Sequence, residues 1–282
     1  MGELRKHFYK HSCPLAEDIV KEIIWKCVAS NSTLPAKFLR IHFHDCFVNG
    51  CNASVFLDST TNNQVEKAAT PNLSLGGIDV IDEVKIELEK TCPGVVSCAN
   101  IIALAARDSV SYQRPLWEVL IGRRDGSISH ISNALNNIPS PSFNFSILKQ
   151  SFANKSLTVH DLVVLSSGHT IGIGHCNFFS QRLYKFTGRK NDADPSLNST
   201  YATFLKIQCK SLSNKITILN QCLFQFDAAL LINNKATSTV NELLDSQDLF
   251  TEFGQSMKRI GAIGVLTGSS GEIRKKCNMV NS

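Results

Sequence analysis

Apolar positions recur along this chain at helical spacing and almost nowhere in strict alternation. Ile81, Val84 and Leu88 fall at i, i+3 and i+7 among acids and lysines, a spacing that predicts one face of an amphipathic helix. The run from Ala99 to Asp108 is rich in Ala, Ile and Leu and predicts a second helix. Thr158-Val-His-Asp161 precedes Leu162-Val163-Val164-Leu165, a capping-box-like start to a third. The segment from Val240 to Gly261 also reads as helix. Pro and Asn cluster at 136–145 and 191–199, which predicts loops between helices. No internal repeat or low-complexity tract interrupts the pattern, and the expected fold class is all-α.

Size and charge narrow this picture. At 282 residues and 43% hydrophobic, the chain can bury a substantial core. That size suits one large domain or two lobes sharing an interface. The net charge of +5 is spread along the sequence, and its densest cluster is only Arg274-Lys275-Lys276. That gives a nucleic-acid partner little to bind. No apolar stretch is long enough to predict a membrane span.

Ten cysteines (13, 27, 46, 51, 92, 98, 176, 209, 222, 277) lie scattered without a C-x-x-C pair. Structural zinc sites need that close spacing; scattered cysteines in even number read instead as a disulfide framework from an oxidising compartment. Six N-x-[S/T] sequons, at Asn31, Asn52, Asn72, Asn144, Asn154 and Asn198, point the same way. The opening Met1–Lys6 is polar, so the expectation is a numbering that starts near a mature N-terminus, with the leader absent.

The first segment that carries chemistry is Leu39-Arg-Ile-His-Phe-His-Asp-Cys-Phe-Val-Asn-Gly-Cys-Asn-Ala-Ser54. If 36–47 is helical, Arg40 and His44 are i, i+4 neighbours, with Phe43 beside them. A fixed cation, a titratable imidazole and a flat apolar wall then share one surface. That combination suits acid–base cleavage of a polar bond. His42 and His44 point about 200° apart on one helix. They do not share a metal, and His42 reads as a packed structural histidine. Cys46 and Cys51 bracket a tight loop containing Gly50. Asp45, the carbonyls of Val48 and Gly50, and the side chains of Asn52 and Ser54 place hard oxygens around that glycine, in the manner of a calcium loop.

This segment closely resembles the distal haem helix of class III plant peroxidases, the horseradish peroxidase family. The resemblance implies His44 as the distal acid–base catalyst, Arg40 as the distal arginine and Phe43 as the shield over the haem. Glu66-Lys-Ala-Ala-Thr-Pro-Asn72 resembles the stretch whose asparagine bonds the distal histidine. It implies Asn72 in that role and Glu66 as a calcium contact through water. Ile138-Pro-Ser-Pro141 resembles the loop at the haem edge, with Pro139 facing the aromatic donor.

The second segment is Asp161-Leu-Val-Val-Leu-Ser-Ser-Gly-His-Thr-Ile-Gly172. His169 stands at i+7 from Leu162 and i+4 from Leu165, so it is expected on the buried face of its helix. S-x-G-H-T-I-G resembles the family's proximal signature, which implies His169 as the axial ligand of haem iron and Thr170 as an oxygen donor to a second calcium. Phe224-Gln-Phe-Asp-Ala-Ala-Leu-Leu231 resembles the family's F-Q-S-D-A-A-L-L. It implies Asp227 as the carboxylate that accepts the other N–H of His169, making the imidazole a stronger electron donor.

Further matches at Phe8-Tyr-Lys-His-Ser-Cys-Pro14, Gly122-Arg-Arg-Asp125 and Val265–Cys277 extend the resemblance over nearly the whole chain. It implies one domain, 1–282, with a distal lobe at roughly 1–140, a proximal lobe at roughly 141–282, and haem b between distal and proximal helices. The implied disulfides are Cys13–Cys92, Cys46–Cys51, Cys98–Cys277 and Cys176–Cys209, which leave Cys27 and Cys222 over. The implied reaction is reduction of hydrogen peroxide with one-electron oxidation of phenolic donors. The implied setting is a monomer in the cell wall, outside the cell or in the vacuole.

Three departures qualify the match. Ser167 stands where the family usually has Gly, and Asn52 where it has Asp. Only 17 residues separate Cys209 from Asp227. Family members carry about 20 more here, room for an acidic calcium-binding loop and a helix. One tight calcium is therefore expected, and a doubtful second. The alternative reading is a catalytically impaired, peroxidase-like secreted protein.

Overall fold

The computed structural model describes residues 3–111, 117–211, 213–217, 224–245 and 248–281. Among them are twelve α-helices and one two-stranded sheet, grouped into two compact units.

The first unit comprises Met1–Ile138 and Phe250–Ser282. It holds α1 (Ala16–Ser30), α2 (Leu34–Val48), α3 (Ile78–Thr91), α4 (Cys98–Val110) and α5 (Ile131–Asn137). Val80, Ile81, Val84 and Leu88 form the buried stripe of α3. Helix α4 is buried from Cys98 to Ser109 and packs against α1, α2 and α3. Its Ala, Ile and Leu side chains supply most of that buried surface, and the buried Arg107 is paired with Asp108 at 2.7 Å. Its first turn is anchored by Asp125, whose carboxylate accepts the N–H of Cys98 at 3.1 Å and of Ala99 at 2.9 Å. These bonds satisfy donors that a helix start leaves open.

The second unit is Pro139–Leu249. Here α6 (Phe145–Ala153) and α7 (Val159–Ser166) pack together, with α10 (Gln225–Leu230) against α6 and α11 (Asn234–Asp245) against α7. The capping box of α7 is formed: Asp161 N–H donates to Thr158 Oγ1, and Thr158 N–H donates back to Asp161. A smaller core of Cys176, Phe179, Leu183, Leu205, Cys209 and Ile216 joins α8 (Ser180–Tyr184), α9 (Ser199–Gln208) and the antiparallel pair β1 (Ile173–His175) and β2 (Lys215–Thr217).

Two sequence expectations change. Val240–Gly261 is not one helix: α11 ends at Asp245 and α12 spans Leu249–Ile260. Residues 250–282, assigned from sequence to the second lobe, group with the first unit. Besides the Cys98–Cys277 disulfide, their ties include bonds made by backbone N–H groups, which no periodicity reveals. Arg124 N–H donates to Leu266 O, Cys51 N–H to Ile263 O, and Arg274 N–H to the Asp125 carboxylate.

Disulfides join Cys13–Cys92, Cys46–Cys51, Cys98–Cys277 and Cys176–Cys209. Cys27 is the free cysteine among the described residues, and Cys222 lies outside them. None of the described helices is long and apolar enough to cross a membrane.

Candidate haem and calcium sites

Helix α2 presents both halves of the first site because its i, i+4 spacing holds through the whole segment. Arg40 and His44 lie on one face, with the Arg40 Nε 3.4 Å from His44 Nε2. The guanidinium is fixed from its other side, donating to Pro71 O at 2.7 Å and Ser74 Oγ at 3.1 Å. His44 Nδ1 is 2.6 Å from Asn72 Oδ1, and Asn72 Nδ2 donates to Glu66 O at 2.8 Å. Asn72 is thereby oriented with its oxygen toward the ring, so His44 Nδ1 carries the proton and Nε2 is left as the acceptor. Burial pushes the His44 imidazole down to about 3, Arg40 pushes the same way, and the Asn72 bond opposes them. The ring is therefore a neutral base at any moderate pH. Phe43 is half-buried and stacks on Phe47 at 4.7 Å between centroids. His42, on the far side of the helix, is 3% exposed and packs against Cys46 Sγ.

Behind α2 lies the oxygen-rich loop. Asp45, Asn52, Ser54 and Glu66 are all buried. Three oxygens there have no hydrogen-bond partner: Asp45 Oδ1, Ser54 Oγ and Glu66 Oε2. Buried polar atoms are rarely left so, and three orphaned oxygens brought together from α2, Ser54 and Glu66 fit a hard cation. The remaining oxygens are occupied. Asp45 Oδ2 accepts Ala53 N–H at 2.9 Å, Asn52 Oδ1 accepts Ser54 N–H at 3.0 Å, and Glu66 Oε1 accepts from Asn49 Nδ2 and from Ser129 Oγ at 3.3 Å. Burial raises the Asp45 carboxyl to about 8 and Glu66 to about 6. Ser54 Oγ lies near enough to lower Glu66 without reaching hydrogen-bond geometry. Gly50 has φ +89°, and a Cβ there would meet Gly264 O at 2.6 Å, so only glycine closes this loop. Asn49 and Ser129 escaped sequence reasoning; Ser129 is 63 residues from Glu66 and carries no motif. Among the described residues no cluster of three or more His, Cys, Asp or Glu is set to hold a metal. With Asn52 an amide, the loop supplies only two carboxylates.

In the second unit, His169 departs from its expected burial. Helix α7 ends at Ser166 and the chain tightens into a 3₁₀ turn over Ser167–Thr170. That turn advances about 120° per residue instead of 100°. The α-helical offset from Leu165 therefore fails, and the imidazole is 43% exposed. Its orientation is nonetheless fixed. Nδ1 is 2.8 Å from Asp227 Oδ1, and the rings of Phe224 and Phe226 stand edge-on at 5.4 and 5.5 Å. The other carboxylate oxygen, Asp227 Oδ2, accepts Phe224 N–H at 2.9 Å. A histidine with Nδ1 committed to a carboxylate offers Nε2 outward as a ligand, the donor set that suits haem iron. Thr170 is exposed and donates its hydroxyl to Ser167 O at 2.8 Å. Pro139 is half-buried in the loop between α5 and α6; two residues on, Pro141 O accepts Phe226 N–H at 3.1 Å.

Comparison with known proteins adds an independent line. Residues 20–254 match the family model described as peroxidase. Peroxidase 24 of Arabidopsis thaliana is 47% identical over 308 aligned positions, covering 99% of this chain and 88% of that protein. Peroxidase 39 of the same plant is 45% identical over 305 positions, covering 99% and 93%. Peroxidase 1 of Oryza sativa subsp. japonica is 43% identical over 306 positions, covering 99% and 94%. Each span exceeds the 282 residues of this chain, so each relative carries residues with no counterpart here.

Proposed function

The chain belongs to the class III plant peroxidases, and from that premise we propose that His44, Arg40 and Asn72 carry its peroxide chemistry while His169 holds the iron. It is a haem peroxidase, reducing hydrogen peroxide at the expense of a reducing donor. When bound, haem b supplies the redox electrons for cleaving the peroxide O–O bond.

The protein groups do the rest. His44 Nε2 takes the proton from one peroxide oxygen and returns it to the other, which leaves as water. Arg40 neutralises the negative charge that grows on that departing oxygen. Asn72 keeps the ring in the tautomer this needs, and Phe43 walls the site. On the proximal side Asp227 draws on the Nδ1 proton of His169 and strengthens donation from Nε2. Phenolic donors are oxidised one electron at a time beside Pro139. The observation that carries this reading is the bonded series Arg40, His44, Asn72, Glu66 O, a base held neutral beside a fixed cation.

The family holds calcium, and one ion is assigned here to Asp45, the carbonyls of Val48 and Gly50, Asn52 and Ser54, with Glu66 through water. Thr170 marks a second site that is weak or lost. The setting is extracellular or vacuolar, and the protein is a monomer. The experiment is haem titration of the purified chain followed by stopped-flow mixing with peroxide. A Soret band with a second-order peroxide reaction no faster than that of free haem would leave only the impaired, peroxidase-like reading.

A further inference from the structure

We propose that Arg182 is a positioning residue for the proximal histidine, acting through the Phe224 backbone on the Asp227 carboxylate; this rests on His169 as the iron ligand. Arg182 and Asp194 are both buried, and their side chains are each only 3% exposed. Each of the three guanidinium nitrogens has a partner among the described residues. Nε donates to Asp194 Oδ2 at 2.7 Å, Nη2 to Ser196 Oγ at 3.1 Å and Nη1 to Phe224 O at 2.8 Å. Asp194 is closed on its other side by Ser196, whose N–H and hydroxyl reach Oδ1 at 2.9 and 2.7 Å. The fork therefore cannot turn without breaking several bonds at once.

Phe224 is where this network meets the site. Its carbonyl is held by Arg182, and its N–H donates to Asp227 Oδ2, while Asp227 Oδ1 faces His169 Nδ1. With one oxygen on Phe224 and the other on His169, the carboxylate follows any shift of the Phe224 peptide. Phe224 opens the six-residue helix α10. That helix is too short to hold its own register. A buried ion pair is a poor source of stability compared with apolar packing. A planar five-donor fork, by contrast, sets geometry well, and Lys cannot reproduce it. The expected effect of Arg182 thus lies in how strongly His169 donates to iron more than in whether the chain folds.

The test uses the haem-reconstituted full chain. The readouts are the Fe(III)/Fe(II) midpoint potential and the iron–histidine stretching frequency of the ferrous form. Asp227→Asn removes the carboxylate and is expected to raise the potential and lower the frequency, since the imidazole donates less. Arg182→Lys keeps a charge for Asp194 and loses the bond to Phe224 O. It should move both readouts in the same direction by part of the Asp227→Asn shift, and the double variant should match Asp227→Asn alone. If Arg182→Lys melts lower but leaves potential and frequency at parental values, Arg182 is merely structural and the proposal fails. If Asp227→Asn itself moves neither readout, the assignment of the proximal ligand has failed beneath it. Should Arg182→Lys not fold, Ser196→Ala frees one arm of the fork and is read by the same two criteria.

Discussion

His44 Nδ1 lies 2.6 Å from Asn72 Oδ1, a bond that decides which nitrogen of the ring can take a proton. With Asn72 Nδ2 committed to Glu66 O, the amide cannot flip, and Nε2 stays the acceptor. Removing the base by His44→Ala should lower the second-order rate constant with peroxide by about 10²–10⁴-fold, the usual span of general acid–base catalysis. Asn72→Val keeps the ring and loses only its orientation, so the loss should be about 10–100-fold. Arg40→Leu should cost less than His44→Ala, because the base remains. Stopped-flow rates on haem-matched samples check the order; equal rates in all three variants would remove the distal assignment.

The same bond shapes the pH profile. In the proposed role of His44 the neutral ring is the reactive form, and its protonation is held down to about 3 by burial and by Arg40. The peroxide rate constant should therefore stay flat from pH 7 down to about 4 and fall only near 3. Arg40→Leu removes one of the influences that depress the ring, so its acid limb should move to higher pH. An acid limb that stays in place, or moves the other way, would show that Arg40 does not act on this imidazole.

At the calcium loop the sign runs oppositely. Without a cation, burial raises Asp45 from 3.8 to about 8 and Glu66 from 4.5 to about 6. A carboxyl raised in the folded state supports folding while protonated and withdraws that support as pH climbs toward its folded value. The cation-free protein should thus lose melting temperature between pH 5 and pH 8.5, and calcium should restore most at the upper end, where both carboxylates are ionised. Elemental analysis after dialysis should find one calcium per chain. Two would mean that the Thr170 side retains its ion.

Much of this was legible because it is local. Arg40, Phe43 and His44 sit within one helical turn, and Thr158 with Asp161 within another, so spacing alone brings them together. What escaped depends on long-range partners or on a change of local geometry. His169 was expected to be buried because the helical period was carried one turn past Ser166, where the chain has already tightened. Ser129 reaches Glu66 and Arg274 N–H reaches Asp125 across 63 and 149 residues, distances over which no pattern speaks. Arg182 sits in the five-residue helix α8, too short to show a period, so its bond to Phe224 left no trace in the sequence.

Burial also sorts the six sequons. N-glycans attach at Nδ2 and need a surface position. Asn72 spends Nδ2 on Glu66 O and Asn52 spends it on Asn49 O, and both are buried. Asn31, Asn144, Asn154 and Asn198 are exposed and use Oδ1 as an acceptor. Glycopeptide mass spectrometry of protein from a secretory host should find sugar only among these four. Occupied Asn72 in active enzyme would contradict its bond to His44.

The connection before Phe224 is short against the family pattern expected from the sequence. Only 17 residues join Cys209 to Asp227. The calcium-binding loop and helix that family members place there would brace both Thr170 and the start of α10. In this chain Thr170 instead bonds back to Ser167 O, and α10 is tied at its N-terminus by Arg182 and by Pro141 O. Fewer constraints then fix the Asp227 carboxylate that orients His169. A ligand histidine displaced by about 1 Å weakens its bond to iron, because supporting shells set ligand geometry. The chain should therefore retain haem less well and melt lower than a full-length relative, with the distal peroxide chemistry intact. Grafting a family-length segment between Ile218 and Leu223, a stretch outside the described residues, should raise both haem occupancy and melting temperature. It should also shrink the effect of Arg182→Lys, since a second brace would share its load. If the graft changes neither haem occupancy nor melting temperature, the short connection is structurally silent and α10 needs no brace beyond the two seen.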